Sequence, residues 1–319
     1  MTPRSAGSQP ARTVFFCSAA FGVPKLDAHQ AAPEVEVVAV VSAPDRPVGR
    51  RATLTPVPVA ARAQAEGLPL LQPASIRQPD ALNEILALGP ALGVAADYGR
   101  IVPPALVEAP QNGILNVHPS LLPRHRGASP IPATILAGDT VTGVTLIRMD
   151  AGLDTGPIVA VEEWPLDGTE IAPRLENQTA IVGALLLRRT LPPWLAGEIE
   201  PQPQDESRAT TTRPLRREDG RLDPNRSVVE LERQVRAYQP WPGTWLETVA
   251  GRLAVLRAEA IPGWTGGDEQ KPGRFGRFGL FVTDGYLALR EVQPAGGRRM
   301  TFDELVRGRP AIVGSDVVA

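Results

Sequence analysis

With 319 residues, 43% of them hydrophobic and 21% charged, the chain has the composition of an ordinary globular protein and enough length for two domains. A net charge of −2 excludes a global basic field, and the single cysteine, Cys17, excludes an internal disulfide or a cysteine metal cluster. The only lysines are Lys25 and Lys271 and no GxxxxGK motif is present, which argues against a P-loop NTPase.

The first stretch, MTPRSAGSQPAR, is polar and reads as a disordered leader over residues 1–12. The apolar run VFFCSAAFGV behind it is too short to span a membrane and lacks signal-peptide flanks, so a cytoplasmic protein is expected. Buried strands are predicted at TVFFCS (13–18), VEVVAVVS (35–42), GVAAD (93–97) and GILNVH (113–118), with a short one at 69–71. Helices are predicted over 24–32, 57–66 and 79–88, and the Pro-, Gly- and Arg-dense stretch 43–51 reads as a loop. Strands alternating with helices imply βαβ units and a mainly parallel sheet. A helix from Pro130 ends at Gly138, and strands follow at 142–149 and 157–164. Residues 170–191 read as one amphipathic helix with Leu175, Ile181, Leu185, Leu186 and Leu191 at helical spacing. The Pro-rich polar segment 192–214 reads as a linker. Beyond it, a helix (228–238) and short glycine-separated strands suggest a small β-barrel or sandwich. Charge changes too: residues 1–200 hold 15 basic against 19 acidic side chains, and residues 201–319 hold 18 against 16, a mildly basic C-terminal part.

The densest chemical signal is GILNVHPSLLPRHRG, residues 113–127. Period-two alternation puts Asn116 and His118 on one face of a strand, at its C-terminal end, where open α/β sheets bind ligands. Some distance on, GLDTG presents Asp154 between Gly152 and Gly156. An amide, a histidine and a carboxylate suit acyl transfer to an amine. Asn116 can donate to the oxyanion, a protonated His118 can donate to it as well, and Asp154 can keep His118 charged and accept a proton through water. Read from spacing alone, Asn116 equally caps a strand end and His118 is equally a satisfied polar residue. With three histidines and one cysteine in the chain, no metal site is expected.

The run NVHPSLLPRHRGASPIPATILAGD, continued by TGVTLIRMDAGLDTGPI, is similar to the signature of the folate-dependent formyltransferases. The resemblance implies that Asn116, His118 and Asp154 are catalytic, with 10-formyltetrahydrofolate as the formyl donor. It further implies that Ser120, Leu121, Leu122 and Pro123 belong to the folate-binding stretch, and that AADYGRIVP (95–103), through Tyr98, Gly99 and Ile101, holds the pterin ring. PDRPVGR (44–50) resembles the Arg-rich loop that reaches the acceptor arm in members acting on methionyl-tRNA, which implies that Arg46, Arg50 and Arg51 contact tRNA. RAYQPWPGTW (236–245), with Trp241 and Trp245 read as core, and EVQPAGGRRMTFDELVRG (291–308) resemble the C-terminal domain of those same members.

The implied fold is α/β: a Rossmann-like formyltransferase domain over 13–191, the linker, and an OB-like tRNA-binding barrel over 215–319. The implied acceptor is initiator methionyl-tRNA, taken by a monomer with no membrane and no obligate protein partner. A sugar-nucleotide N-formyltransferase using the same donor is the alternative. The chain departs from the family at Cys17 and Ala20 in the first turn, at Pro214 in place of a lysine, and at Pro224 in place of a tryptophan.

Overall fold

Val/Ile/Leu-rich runs with no polar alternation call for strands covered on both faces, and the first part of the chain meets that demand. The structure, a computed structural model, describes residues 9–48, 52–264 and 271–318. Arg50 and Arg51 therefore lie outside the described residues, as do positions 1–8 of the expected leader. The leader reading is corrected at its other end, because the first strand starts at Ala11: Ala11 and Arg12 pair with Val35 and Glu36.

The chain divides into two units. The first comprises 1–130, 141–165 and 176–212, and the second 131–140, 166–175 and 213–319. The second unit thus takes in two stretches expected within the first domain.

In the first unit a seven-stranded sheet runs in the order Ile158–Pro165, Val141–Arg148, Ile114–His118, Leu92–Ala95, Ala11–Phe16, Val35–Val41, Leu70–Leu71. The last five of these are mutually parallel, and the first two are added antiparallel. Adjacent Phe15 and Phe16 are both buried but belong to different apolar clusters, one on each face of the sheet. At roughly 1.5–3 kcal/mol per fully buried large apolar side chain, these two layers dominate the stability of the unit.

The long helix, Ala172–Leu195, corrects two expectations. Ile181 and Leu185, taken as part of the buried stripe, are exposed, whereas Leu175, Leu186 and Leu191 are buried as expected, together with Ala180, Ala184 and Leu187. Helix and sheet approach closely at Gly183, where a Cβ would stand 2.9 Å from both Val117 Cγ1 and Lys25 Cε. The helix also continues through Pro192 and Pro193, because Trp194 is buried in the core and its Nε1 donates to the Asn112 carbonyl at 3.1 Å. Gly197, at φ 71°, closes the turn that follows.

The second unit holds an antiparallel sheet in the order Thr244–Thr248, Gly251–Pro262, Gly285–Pro294, Gly279–Val282, Phe275–Gly276, with Met300–Thr301 pairing to Gly285–Pro294. The helix Val228–Ala237 starts at a capping box: Ser227 Oγ accepts from the Glu230 amide and the Glu230 carboxylate accepts from the Ser227 amide. Val228, Leu231 and Val235 of this helix share one core with Leu246, Val255 and Leu287 of the strands. This β-rich unit is the small second fold expected after the α/β part. Trp245 is partly buried beneath the Arg252 guanidinium, 3.8 Å from the ring centroid, whereas Trp241, expected in the core, is 57% exposed.

Candidate active site

The strand Ile114–His118 lies inside the sheet, so ladders on both sides fix it: Asn116 is registered against Ala95 and Ile147, and His118 against Thr145. Leu115 and Val117 enter one core cluster, which leaves Asn116 and His118 together on the other face. The strand order reverses beside Ala11–Phe16, and in such sheets the crevice beyond the carboxyl ends is the binding site.

Asp154 reaches the same place from the loop between two antiparallel strands. Its backbone is left-handed, at φ 55°, a conformation that costs a non-glycine residue about 1–3 kcal/mol unless its surroundings impose it. Asp150 Oδ1 starts the loop by accepting from the Gly152 amide and from Thr155 Oγ1. A Cβ on Gly156 would run into the Arg148 carbonyl, so only glycine fits there.

The three side chains converge. Asn116 Nδ2 donates to Asp154 Oδ1 at 3.1 Å, and the Gly127 amide donates to Asp154 Oδ2 at 2.8 Å. His118 Nδ1 stands 3.6 Å from Asp154 Oδ2, and its Nε2 lies 3.0 Å from the His125 carbonyl. A carbonyl can only accept, so Nε2 carries a proton, and in the neutral ring Nδ1 is bare and faces the carboxylate. The pair is attractive only with one proton between its two members.

Burial is the largest influence on His118 and lowers its pKa; Asp154 and the bond to His125 raise it by less. The expectation that Asp154 keeps His118 charged is corrected accordingly: desolvation outweighs the carboxylate and favours the neutral ring.

The segment Ser120–Pro123 wraps this end of the sheet. Thr145 Oγ1 accepts from the Leu122 amide and donates to the Ser120 carbonyl, and the buried Ser120 hydroxyl donates to the Arg124 carbonyl. Ser120, Leu122 and Pro123 are buried and Leu121 half-buried. In the passage after Leu92–Ala95, Tyr98 is buried against Phe16, Gly99 is exposed with nothing to meet an added Cβ, and Ile101 is 70% exposed. Arg46 is exposed, and the expected loop is in part a small antiparallel arm, Arg46–Val48 against Thr53–Thr55, with Asp45 at its base accepting from Gln72 Nε2.

Composition misled most over the segment 192–214, which is no free linker. The Thr210 hydroxyl accepts from the His125 amide, Thr211 and Thr212 pair in parallel with Arg126 and Gly127, and Gln202 bridges to Ile158. Gln204 Nε2 donates to the carbonyls of Asp154 and Gly156 at 2.8 and 2.7 Å. None of Gln204, Arg126, Gly127 or Thr210 was expected at the site. The run of β-branched threonines at 210–212 was the one signal that this segment pairs with a strand. Among the described residues no three His, Cys, Asp or Glu side chains gather as metal ligands would.

The sequence matches two family models: Formyl transferase over residues 12–191, and Formyl transferase, C-terminal domain, over 214–310. Relatives include a methionyl-tRNA formyltransferase of Chloroflexus aurantiacus, 44% identical over 306 residues, covering 93% of this chain and 96% of the relative. Another, from Thermus thermophilus and carrying the same name, is 42% identical, again covering 93% of this chain and 96% of its own. The fold resembles the solved N-formyltransferase from Helicobacter canadensis in complex with folinic acid and dTDP-3-aminofucose. That match has TM-score 0.65 and 17% identity, and covers 88% of this chain and 99% of the other.

Proposed function

The chain belongs to the formyl transferase family, and from that premise we propose that it transfers the formyl group of 10-formyltetrahydrofolate to the amino group of methionyl-tRNA. The observation that carries the chemistry is the convergence of Asn116, His118 and Asp154 at the carboxyl end of one parallel strand.

When bound, the folate supplies the formyl carbon. Residues 13–191 form the part that binds it, with Ser120, Leu121, Leu122, Pro123, Tyr98, Gly99 and Ile101 as its contacts. Asn116 Nδ2 donates to the formyl oxygen as negative charge grows there, a service worth about 10²–10³ in rate for a well-placed donor. Asp154 takes the proton that the attacking amine must lose. Burial disfavours charge on His118 beforehand, so its Nδ1 takes that same proton over from Asp154 only as the oxygen beside it becomes negative, and the proton ends on the folate nitrogen as the bond from that nitrogen to the formyl carbon breaks.

Identity above 40% with methionyl-tRNA formyltransferases across both parts of the chain supports tRNA as the acceptor. Arg46, Arg50 and Arg51 reach the acceptor end of initiator tRNA, and residues 215–319 hold its body through phosphate contacts. The protein acts as a cytoplasmic monomer without an obligate protein partner; no helix among the described residues is long and apolar enough to cross a membrane.

The test is formyl transfer from 10-formyltetrahydrofolate to initiator tRNA charged with methionine, beside the uncharged tRNA and a 4-amino sugar nucleotide. Product with the charged tRNA alone is expected. Product with the sugar nucleotide alone would replace the acceptor while leaving the Asn116–His118–Asp154 chemistry in place.

A further inference from the structure

Every polar atom of the Gln204 amide is used, and in one orientation only. Its Oε1 accepts from Arg126 Nε and Nη2 at 3.0 and 2.8 Å, while its Nε2 donates to the carbonyls of Asp154 and Gly156. Turned over, the amide would set N–H groups against a guanidinium and oxygen against two carbonyls. Arg126 is 4% exposed, and it reaches past Gln204 to the solvent-exposed Glu206 carboxylate, with Nη1 and Nη2 at 2.9 and 2.6 Å from its two oxygens. Such two-pronged, charge-assisted contact holds a side chain more tightly than a single neutral bond.

The two carbonyls that Gln204 grips bracket the turn carrying Asp154. They belong to the left-handed residue itself and to the glycine two positions on. The Gly127 amide holds the carboxylate of Asp154, while Gln204 holds its backbone. Carboxylate and backbone of one residue are thus fixed from two directions by neighbours on a single guanidinium-centred assembly.

We propose that Gln204, braced by Arg126, is a positioning residue for the reaction: its two donated hydrogen bonds hold Asp154 in the left-handed conformation that places its carboxylate against Asn116 and His118. This deepens the functional reading above and rests on it. Asp154 touches the reacting groups, and Gln204 acts through Asp154. A displacement of about 1 Å at such a group costs on the order of 10²-fold in rate.

Three substitutions separate positioning from bracing. Gln204→Met keeps the bulk and removes all four hydrogen bonds. Gln204→Glu strengthens the contact to Arg126 but turns oxygen toward both carbonyls. Gln202→Ala alters an exposed neighbour whose side chain donates only to the Glu200 carbonyl, and serves as the control. Two readouts are needed: kcat and KM for formyl transfer, and the titration of the His118 imidazole by NMR, assigned as the signal lost in His118→Ala.

Gln204→Met and Gln204→Glu are both expected to lower kcat on the order of 10²-fold with KM retained. Both should also move the His118 midpoint downward, toward its value in Asp154→Asn, because the carboxylate that raises it has drifted away. Gln202→Ala should match the parent protein in both. Parent-like kcat and midpoint in Gln204→Met overturn the proposal. So does recovery of both in Gln204→Glu, since bracing of Arg126 would then be the whole role. Should the parent protein formylate no tRNA, the acceptor reading falls, and the His118 midpoint alone decides the role of Gln204.

Discussion

The strand Ile114–His118 and the loop that carries Asp154 deliver their side chains to one point by different physics. On the strand, Asn116 is located by ladders on both flanks, His118 by one, and both by a core beneath, so their placement follows from the sheet. On the loop, no ladder reaches Asp154; a disfavoured backbone conformation is held by separate hydrogen bonds from Gly127, Gln204 and Asn116. Half of the site is therefore rigid by architecture and half by a small set of replaceable contacts. Damage to the first half should be felt as lost stability, and damage to the second as lost turnover in a protein that still folds.

The severest way to probe that contrast is to remove the groups that meet. Asp154→Asn and His118→Ala should each cut turnover by about 10²–10⁴, the usual span for general acid–base groups, with folate binding retained. Single-turnover formyl transfer beside a folate binding titration measures both, and near-normal turnover in Asp154→Asn would remove it from the chemistry.

Gly127→Ala comes next. Gly127 sits at φ 100°, and a Cβ there would collide with the Thr212 carbonyl. The substitution should cost about 1–3 kcal/mol in denaturant unfolding. It should also depress turnover, because the amide that holds Asp154 moves. Parent-like turnover in Gly127→Ala would mean that the Gly127 amide does not hold Asp154 in place.

A smaller effect tests the strand side. Lys25 is fully buried near Val117, donates to the Phe21 and Ala180 carbonyls at 2.8 and 3.2 Å, and has its pKa pulled by burial from 10.5 to about 7. The unfolded chain then binds more protons than the folded one between about pH 7 and 10.5, so stability rises with pH across that window. Lys25→Met should be more stable at pH 7 and lose that slope, with turnover little changed. Urea unfolding at several pH values reads this out, and a slope that survives in Lys25→Met would assign it to other groups.

The mildest effect is expected at Arg46, on neither side of the contrast. Arg46→Ala should weaken use of tRNA and reduce the salt dependence by about one unit of slope, with folate binding untouched. Identical salt dependence in parent and variant would leave Arg46 as plain surface.

The same contrast decides what could be read from the residues alone. Asn116 and His118 were legible because strand periodicity and the position of ligands in α/β sheets are general rules, and GLDTG marked a tight turn. Gln204 and Thr210 were not, because a proline-rich polar stretch has the composition of a linker and its partners lie some 80 residues away in sequence. The exposure of Ile181 and Leu185 was missed for a related reason: which face of the helix meets the sheet is set by the close approach at Gly183, beside Ala180 and Ala184, and apolar spacing alone does not show it. The neutral preference of His118 was hidden as well, since spacing reveals a neighbouring carboxylate but not the loss of water around the ring.

The pairing of Thr211–Thr212 with Arg126–Gly127 bears on how this polypeptide can be dissected. A fragment ended at residue 191 would keep the whole seven-stranded sheet but lose Gln204, and with it the two bonds that hold the backbone of the Asp154 turn. A fragment ended at residue 212 would keep both. Fusions, chain breaks and grafts of a foreign second half should accordingly be joined after Thr212, not at the end of the long helix, if the first half is to arrive with its reactive turn already shaped.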